Sequence, residues 1–82
     1  MLNLKYSLVI EATEDPHFFA FYSPDLQGFT GTGESIEDSL QKARNGMEEH
    51  LALLKERKLP IPSPNLTPSV TIKDTRPVQQ GA

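Results

Sequence analysis

The chain has no cysteine among its 82 residues, which excludes a disulfide framework, thiolate metal ligands and nucleophilic thiol chemistry. Such a composition fits a reducing compartment, and a cytoplasmic protein is expected. A long apolar run is also missing. Lys5 and Glu11 bracket the one candidate near the amino terminus, so neither a signal peptide nor a membrane span is expected. Basic residues are scarce: eight Lys and Arg stand against eleven Asp and Glu, for a net charge of −3 and a pI near 5.2. That balance opposes direct binding to a nucleic-acid backbone, which needs clustered Lys and Arg, and suits a basic protein partner. No internal repeat or second domain is visible, so residues 1–82 read as a single domain with an ordered core over about 3–74. A core this small stabilises marginally, and a homo-oligomer, most simply a dimer, is expected.

What is present begins with alternation. Leu4, Tyr6, Leu8, Ile10 and Ala12 alternate with Lys5, Ser7, Val9, Glu11 and Thr13, the period-two pattern of a strand with one buried face. Glu14-Asp15-Pro16 supplies a turn. His17 to Tyr22 is then apolar on both faces, as in a central strand or a face reserved for another subunit. Phe19 and Phe21 are the candidate oligomer face. Pro24 fixes φ, Asp25 can bond its own downstream backbone, and Gly28 permits a positive φ, which together predict a tight reversal. A brief third strand follows at Phe29 to Thr32, where Gly31 and Gly33 suggest a bulge or a close backbone approach.

Ser35 is a good N-cap, with Asp38 at the capping-box position and Glu34 and Glu37 near the positive end of the helix dipole. Ile36, Leu40, Ala43, Met47, Leu51 and Leu54 form one apolar stripe that should lie on the sheet, and Pro60 stops the helix after Leu59. Gly46 inside it costs roughly 1 kcal/mol relative to Ala, either tolerated or explained by close packing. Pro60 to Pro68 reads as an extended connector. Val70 to Lys73 reads as a β-branched edge strand, and 75–82 as a flexible tail. The predicted fold is α+β: a mixed sheet in the order strand, strand, strand, helix, strand, with one helix on one face. A right-handed crossover gives the spatial order 3-2-1-4.

The chemistry-bearing residues do not assemble into a familiar catalytic pattern. Glu11, Asp15, Asp25, Glu37 and Asp38 have local roles in turns and caps, His17 and His50 have no second ligand at a metal-binding spacing, and no nucleophile elbow holds a serine. Catalytic, cofactor and metal residues are therefore assigned to none. Gly28, Gly31 and Gly33 precede a helix, yet no Lys or Arg follows them, and Glu34, Glu37 and Asp38 occupy the place an anion would need. The aromatic residues of the first hairpin lack the basic groove that a base-stacking platform requires, so core packing explains them better.

Phe21-Tyr22-Ser23-Pro24-Asp25-Leu26-Gln27-Gly28-Phe29, then Gly33-Glu34-Ser35-Ile36-Glu37-Asp38-Ser39-Leu40 with Ala43, and finally Leu59-Pro60-Ile61-Pro62 resemble the HicB-like antitoxin family of small bacterial and archaeal proteins. The resemblance extends over nearly all of Tyr6 to Ile72. Its motif and turn residues are Pro24, Asp25, Leu26, Gly28, Phe29, Gly33 and Ser35. Two departures stand out: the family commonly has Pro where Gln27 stands and often Cys where Phe29 stands. The resemblance implies a partly degraded ribonuclease H-like core without catalytic activity. It also implies a partner, a HicA-type basic ribonuclease toxin that cleaves mRNA and is neutralised by protein contact. Many family members carry a further DNA-binding domain that this sequence does not contain, so DNA binding is not carried over. The candidate partner surface comprises Glu11, Asp15, Asp25, Glu34, Glu37 and Asp38. The alternatives are an orphan oligomeric scaffold, a small-ligand-binding protein of the same fold or a metal-dependent nuclease.

Overall fold

The computed structural model describes residues 4–74; the predicted tail at 75–82 lies outside them. Four strands and one helix follow the chain as β1 (Leu8–Ala12), β2 (Phe19–Tyr22), β3 (Thr30–Gly33), α1 (Ile36–Glu56) and β4 (Val70–Lys73). The sheet order is β3-β2-β1-β4. β1 pairs antiparallel with β2 and parallel with β4, and β2 pairs antiparallel with β3. The chain is thus a small α+β fold with a mixed four-stranded sheet, in the spatial order expected from the alternation of elements.

β1 is shorter than its alternating pattern. Leu4 and Tyr6 stay buried on the same face as Leu8 and Ile10, but their stretch bonds to loops instead of a strand. The Asn65 N–H donates to the Lys5 carbonyl at 2.8 Å, and the Ser7 N–H donates to the Asp25 carboxylate at 2.8 Å. At the opposite end of β1, the Thr13 hydroxyl donates to the Phe18 carbonyl at 2.7 Å. The Asp15 carboxylate accepts from the His17 N–H at 2.9 Å. These bonds close the β1–β2 turn and hold His17 and Phe18 out of the ladder.

Register decides the fate of the aromatics. Phe19 and Phe21 lie two residues apart and so share a face, opposite Ala12 and Ile10 respectively. Both are buried in the core with Leu8, Leu26, Phe29, Ala43 and Met47. The expectation that this pair supplies an exposed oligomer face is corrected, because the face they occupy is the one α1 covers. The outward face of β2 carries the half-buried Ala20 and Tyr22. Burying each phenylalanine contributes roughly 1.5–3 kcal/mol, so Phe19 and Phe21 are core residues first.

The glycines of β3 mark close approach without a bulge, since the β2–β3 register runs unbroken from Phe19↔Gly33 to Tyr22↔Thr30. A Cβ at position 31 would collide with the edge of the Phe21 ring, and one at 33 would collide with Ser39 on the helix. Gly31 is therefore filled by its cross-strand aromatic neighbour, and Gly33 lets the first turns of α1 sit down on β3. Gly46 has the same kind of reason: the Phe29 ring would lie 3.1 Å from a side chain there. The helix packs over β3, β2 and β1 and does not reach β4.

At the start of α1 the Ser35 side chain accepts the Asp38 N–H at 3.0 Å. The Asp38 carboxylate reaches back to the Glu34 N–H at 2.8 Å, one residue earlier than in a standard capping box. The helix ends three residues before the proline-based expectation. Arg57 is the C-cap, and Lys58 takes the left-handed conformation with φ 57°. Its N–H bonds the Lys55 carbonyl, and the Leu59 N–H bonds that of Leu54. This is a Schellman ending formed without glycine. The Tyr6 hydroxyl then donates to the Pro62 carbonyl at 2.6 Å, which fastens the proline segment across the domain.

Candidate partner-binding surface

The sheet has two ends, and the register assigns the six acids between them. Ala12, Phe19 and Gly33 stand side by side at one end. The β1–β2 turn with Asp15, the end of β1 with Glu11, and the start of α1 with Glu34, Glu37 and Asp38 all belong there. Asp25 sits in the β2–β3 connection at the opposite end, beside the beginning of β1. Asp25 therefore does not join the other five, and that part of the expected surface is corrected.

Asp25 is occupied. Its Oδ2 accepts from the Ser7 N–H at 2.8 Å and from the Asn65 Nδ2 at 2.9 Å. The same Asn65 amide donates to the Ser7 hydroxyl at 3.1 Å, and that hydroxyl also accepts the Ser69 N–H at 3.0 Å. Asn65 Oδ1 accepts from the Thr67 N–H at 2.9 Å. Three distant segments, the entry to β1, the β2–β3 turn and the approach to β4, meet in this polar knot. Hydrogen bonds from Asn65 first, and then from the Ser7 backbone, hold the Asp25 carboxyl below its ordinary pKa. The role inferred from local sequence, bonding to its own downstream backbone, is replaced by bonds 18 and 40 residues away.

The neighbouring turn has a defined geometry. The Phe29 N–H donates to the Leu26 carbonyl at 3.2 Å, and Gly28 has φ 83°. An i to i+3 bond with a positive φ at the third position is the pattern of a type II turn. Gln27 occupies the second position, where proline is favoured. Leu26 is fully buried beneath the turn.

At the other end the carboxylates differ in availability. Asp38 is spent on the Glu34 N–H and on Lys42, whose Nζ lies 3.1 Å away, and these two contacts in that order hold its pKa below the ordinary value. Asp15 is engaged in its turn through one carboxylate oxygen. Glu34 and Glu37 are exposed beside the positive end of the helix dipole. Glu11 is half-buried on the outer face of the sheet, next to Lys73 of β4. The acidic end thus presents Glu34 and Glu37 fully, with Glu11 and Asp15 flanking them.

His17 is exposed, and His50 packs edge-on against Phe29 with ring centroids 5.9 Å apart. His50 Nε2 and Ser39 Oγ are buried without a hydrogen-bond partner among the described residues. No group of three or more His, Asp or Glu among the described residues converges as a metal site would require. No helix among them is long and apolar enough to cross a membrane. An open, mainly apolar groove of about 440 Å³ runs between the motif turn and the helix exit, lined by Leu26, Gln27, Leu54 and 59–62. Sequence reading missed this groove and the Ser7–Asp25–Asn65 knot. The only local signal was a turn acid that turned out to have no local partner. Compared with known proteins, the chain matches no family model, no characterised relative and no solved structure.

Proposed function

We propose that this chain is a HicB-like antitoxin module that binds a HicA-type, mRNA-cleaving ribonuclease and neutralises it by protein contact in the cytoplasm. The observation that carries the reading is the exposed acidic end, with Glu34 and Glu37 at the helix start and Glu11 and Asp15 beside them, on a chain whose motif segments resemble that family. An acidic end of this kind attracts a basic ribonuclease and accelerates encounter. The architecture is compatible with the partly degraded ribonuclease H-like core that the resemblance implies, and that finer fold identity is part of this proposal. The chain acts as a scaffold and not as an enzyme. Asp25 and Asp38 serve as hydrogen-bond acceptors that hold the fold, which argues against their acting as catalytic acids or bases.

The test is co-expression with a HicA-type basic ribonuclease, sought first among small basic proteins encoded next to this chain. Co-purification of the two and relief of the partner's toxicity are expected. The groove at Leu26, Leu54, Leu59 and Ile61 favours a second reading, a small-ligand-binding protein of the same fold. Saturable binding of an apolar ligand in that groove, together with failure to bind the basic ribonuclease, would establish it instead.

A further inference from the structure

Among the described residues, nothing covers the outer edge of β4 or the apolar strip beside it. Parallel pairing uses alternate residues of an edge strand. The Leu8 N–H donates to the Ser69 carbonyl at 2.9 Å, and Leu8 stands opposite Val70. This phase turns the backbone of Thr71 toward β1 and leaves the N–H and C=O of Val70 and Ile72 pointing away from the sheet. Val70 and Ile72 share the helix-side face with Leu8 and Ile10; Val70 is partly buried against the core, but α1 does not reach β4, and Ile72 is 49 % exposed. At the opposite edge, α1 packs closely onto β3, whose inner positions are glycines filled by Phe21 and Ser39. β4 thus offers both an unpaired ladder and an uncovered apolar side chain, a combination that recruits another strand.

We propose that β4 pairs antiparallel with β4 of a second copy, joining two sheets into one of eight strands with Thr71 on the two-fold axis. The two-fold places both helices on the same side of the joint sheet. Residues facing one another across the axis must then come from the same face. With Thr71 opposite the partner's Thr71, Val70 stands opposite the partner's Ile72, and Ile72 opposite the partner's Val70. Both facing pairs have outward N–H and C=O groups, so each exchanges two backbone hydrogen bonds. The two Ile72 side chains, each beside the partner's half-buried Val70, close over the strip that neither helix covers. Charge favours the arrangement. Antiparallel pairing sends the acidic ends of the two copies to opposite ends of the assembly. The two Lys73 residues lie four positions apart, about 13 Å along the ribbon, each beside its own Glu11. The second copy is the occupant because this short strand is complementary to itself in both apolar pattern and charge. The inference stands apart from the antitoxin reading, and its test requires no toxin.

Sedimentation velocity of the 82-residue chain at tens of micromolar should give the dimer mass. Ile72→Glu should halve it while circular dichroism stays native, since Ile72 is half-exposed and lies outside the core. A register test covers the case in which that variant fails to fold. The chain has no cysteine, so Thr71→Cys introduces the only thiol. Residues at a non-hydrogen-bonded antiparallel pair lie about 4.5 Å apart between Cα atoms, within disulfide reach. Oxidised Thr71→Cys should cross-link to a dimer, and Lys73→Cys should not. A wild-type monomer throughout this range, an undiminished mass in a folded Ile72→Glu, or cross-linking of Lys73→Cys equal to that of Thr71→Cys would overturn the proposal.

Discussion

At the end of the sheet where β1 begins, the carboxylate of Asp25 takes two hydrogen bonds from Ser7 and Asn65. At the end where β1 finishes, Glu34 and Glu37 stand in solvent. The same functional group has a stabilising task at one end and an outward-facing one at the other. Composition alone could not separate them, because both sets are acids in or beside turns. Long-range partners make the difference: the knot joins three segments that only the folded topology brings together. Asp25, Gly28 and Leu26 therefore hold the fold at one end, and Glu34 and Glu37 are what the other end presents to solvent.

The comparison breaks most visibly if the knot carries no stability. Asn65→Ala removes donors to both Asp25 and Ser7 and should cost about 1–3 kcal/mol in urea unfolding. Glu34→Gln and Glu37→Gln should each stay within about 0.5 kcal/mol of the parent. Equal effects at the two ends would abolish the distinction.

Acid titration sharpens it. Hydrogen bonds hold the Asp25 and Asp38 carboxyls below their ordinary pKa, so each is more acidic in the folded chain than in the unfolded one. Their contribution is fully present above the unfolded value and is lost as the pH falls below it through the folded values. Stability measured across that window should fall with acid, and the fall should be shallower in Asn65→Ala, whose missing amide is the largest cause of the Asp25 shift. An acid limb unchanged in that variant would mean that the knot is not what holds the Asp25 proton off.

Two further polar groups serve neither task. Ser39 Oγ and His50 Nε2 are buried without a partner among the described residues, so Ser39→Ala should be neutral or stabilising by up to about 1 kcal/mol, because it removes a desolvated hydroxyl and raises helix propensity. A loss of more than that would show that the hydroxyl has a partner in solution. The smallest effects belong to backbone geometry. Lys58→Gly at the left-handed helix end and Gln27→Pro at the second position of the turn should each raise stability by about 0.5–1 kcal/mol. Thermal melts that move downward would contradict the assigned cap or turn.

Much of the fold was legible in the sequence because it rests on local chemistry. The period-two run into Ala12, the Ser35 cap and the β-branched Val70–Lys73 run each announced an element, and connection rules alone gave the order of strands. Other features were hidden for physical reasons. Phe19 and Phe21 were ambiguous because an apolar run does not say which face a helix will cover. The helix end at Arg57 was invisible because Lys58, not glycine, adopts the left-handed conformation. Asp25 looked like a turn acid because its partners are distant in the chain. Of the candidate surface, Glu34 and Glu37 stand exposed at the helix start as their sequence context suggested. Asp38 and Asp25 are diverted to backbone and side-chain donors.

The central claim is that the acidic end, and not the knot end, meets a basic ribonuclease. Its most direct measurement is the association rate of the purified chain with a HicA-type basic ribonuclease, for the parent and for a Glu34→Lys, Glu37→Lys double variant, at low and high salt. The account predicts that the double reversal slows association roughly tenfold at low salt, that added salt narrows the gap, and that dissociation changes little. An association rate unaffected by both the reversal and the salt would contradict it.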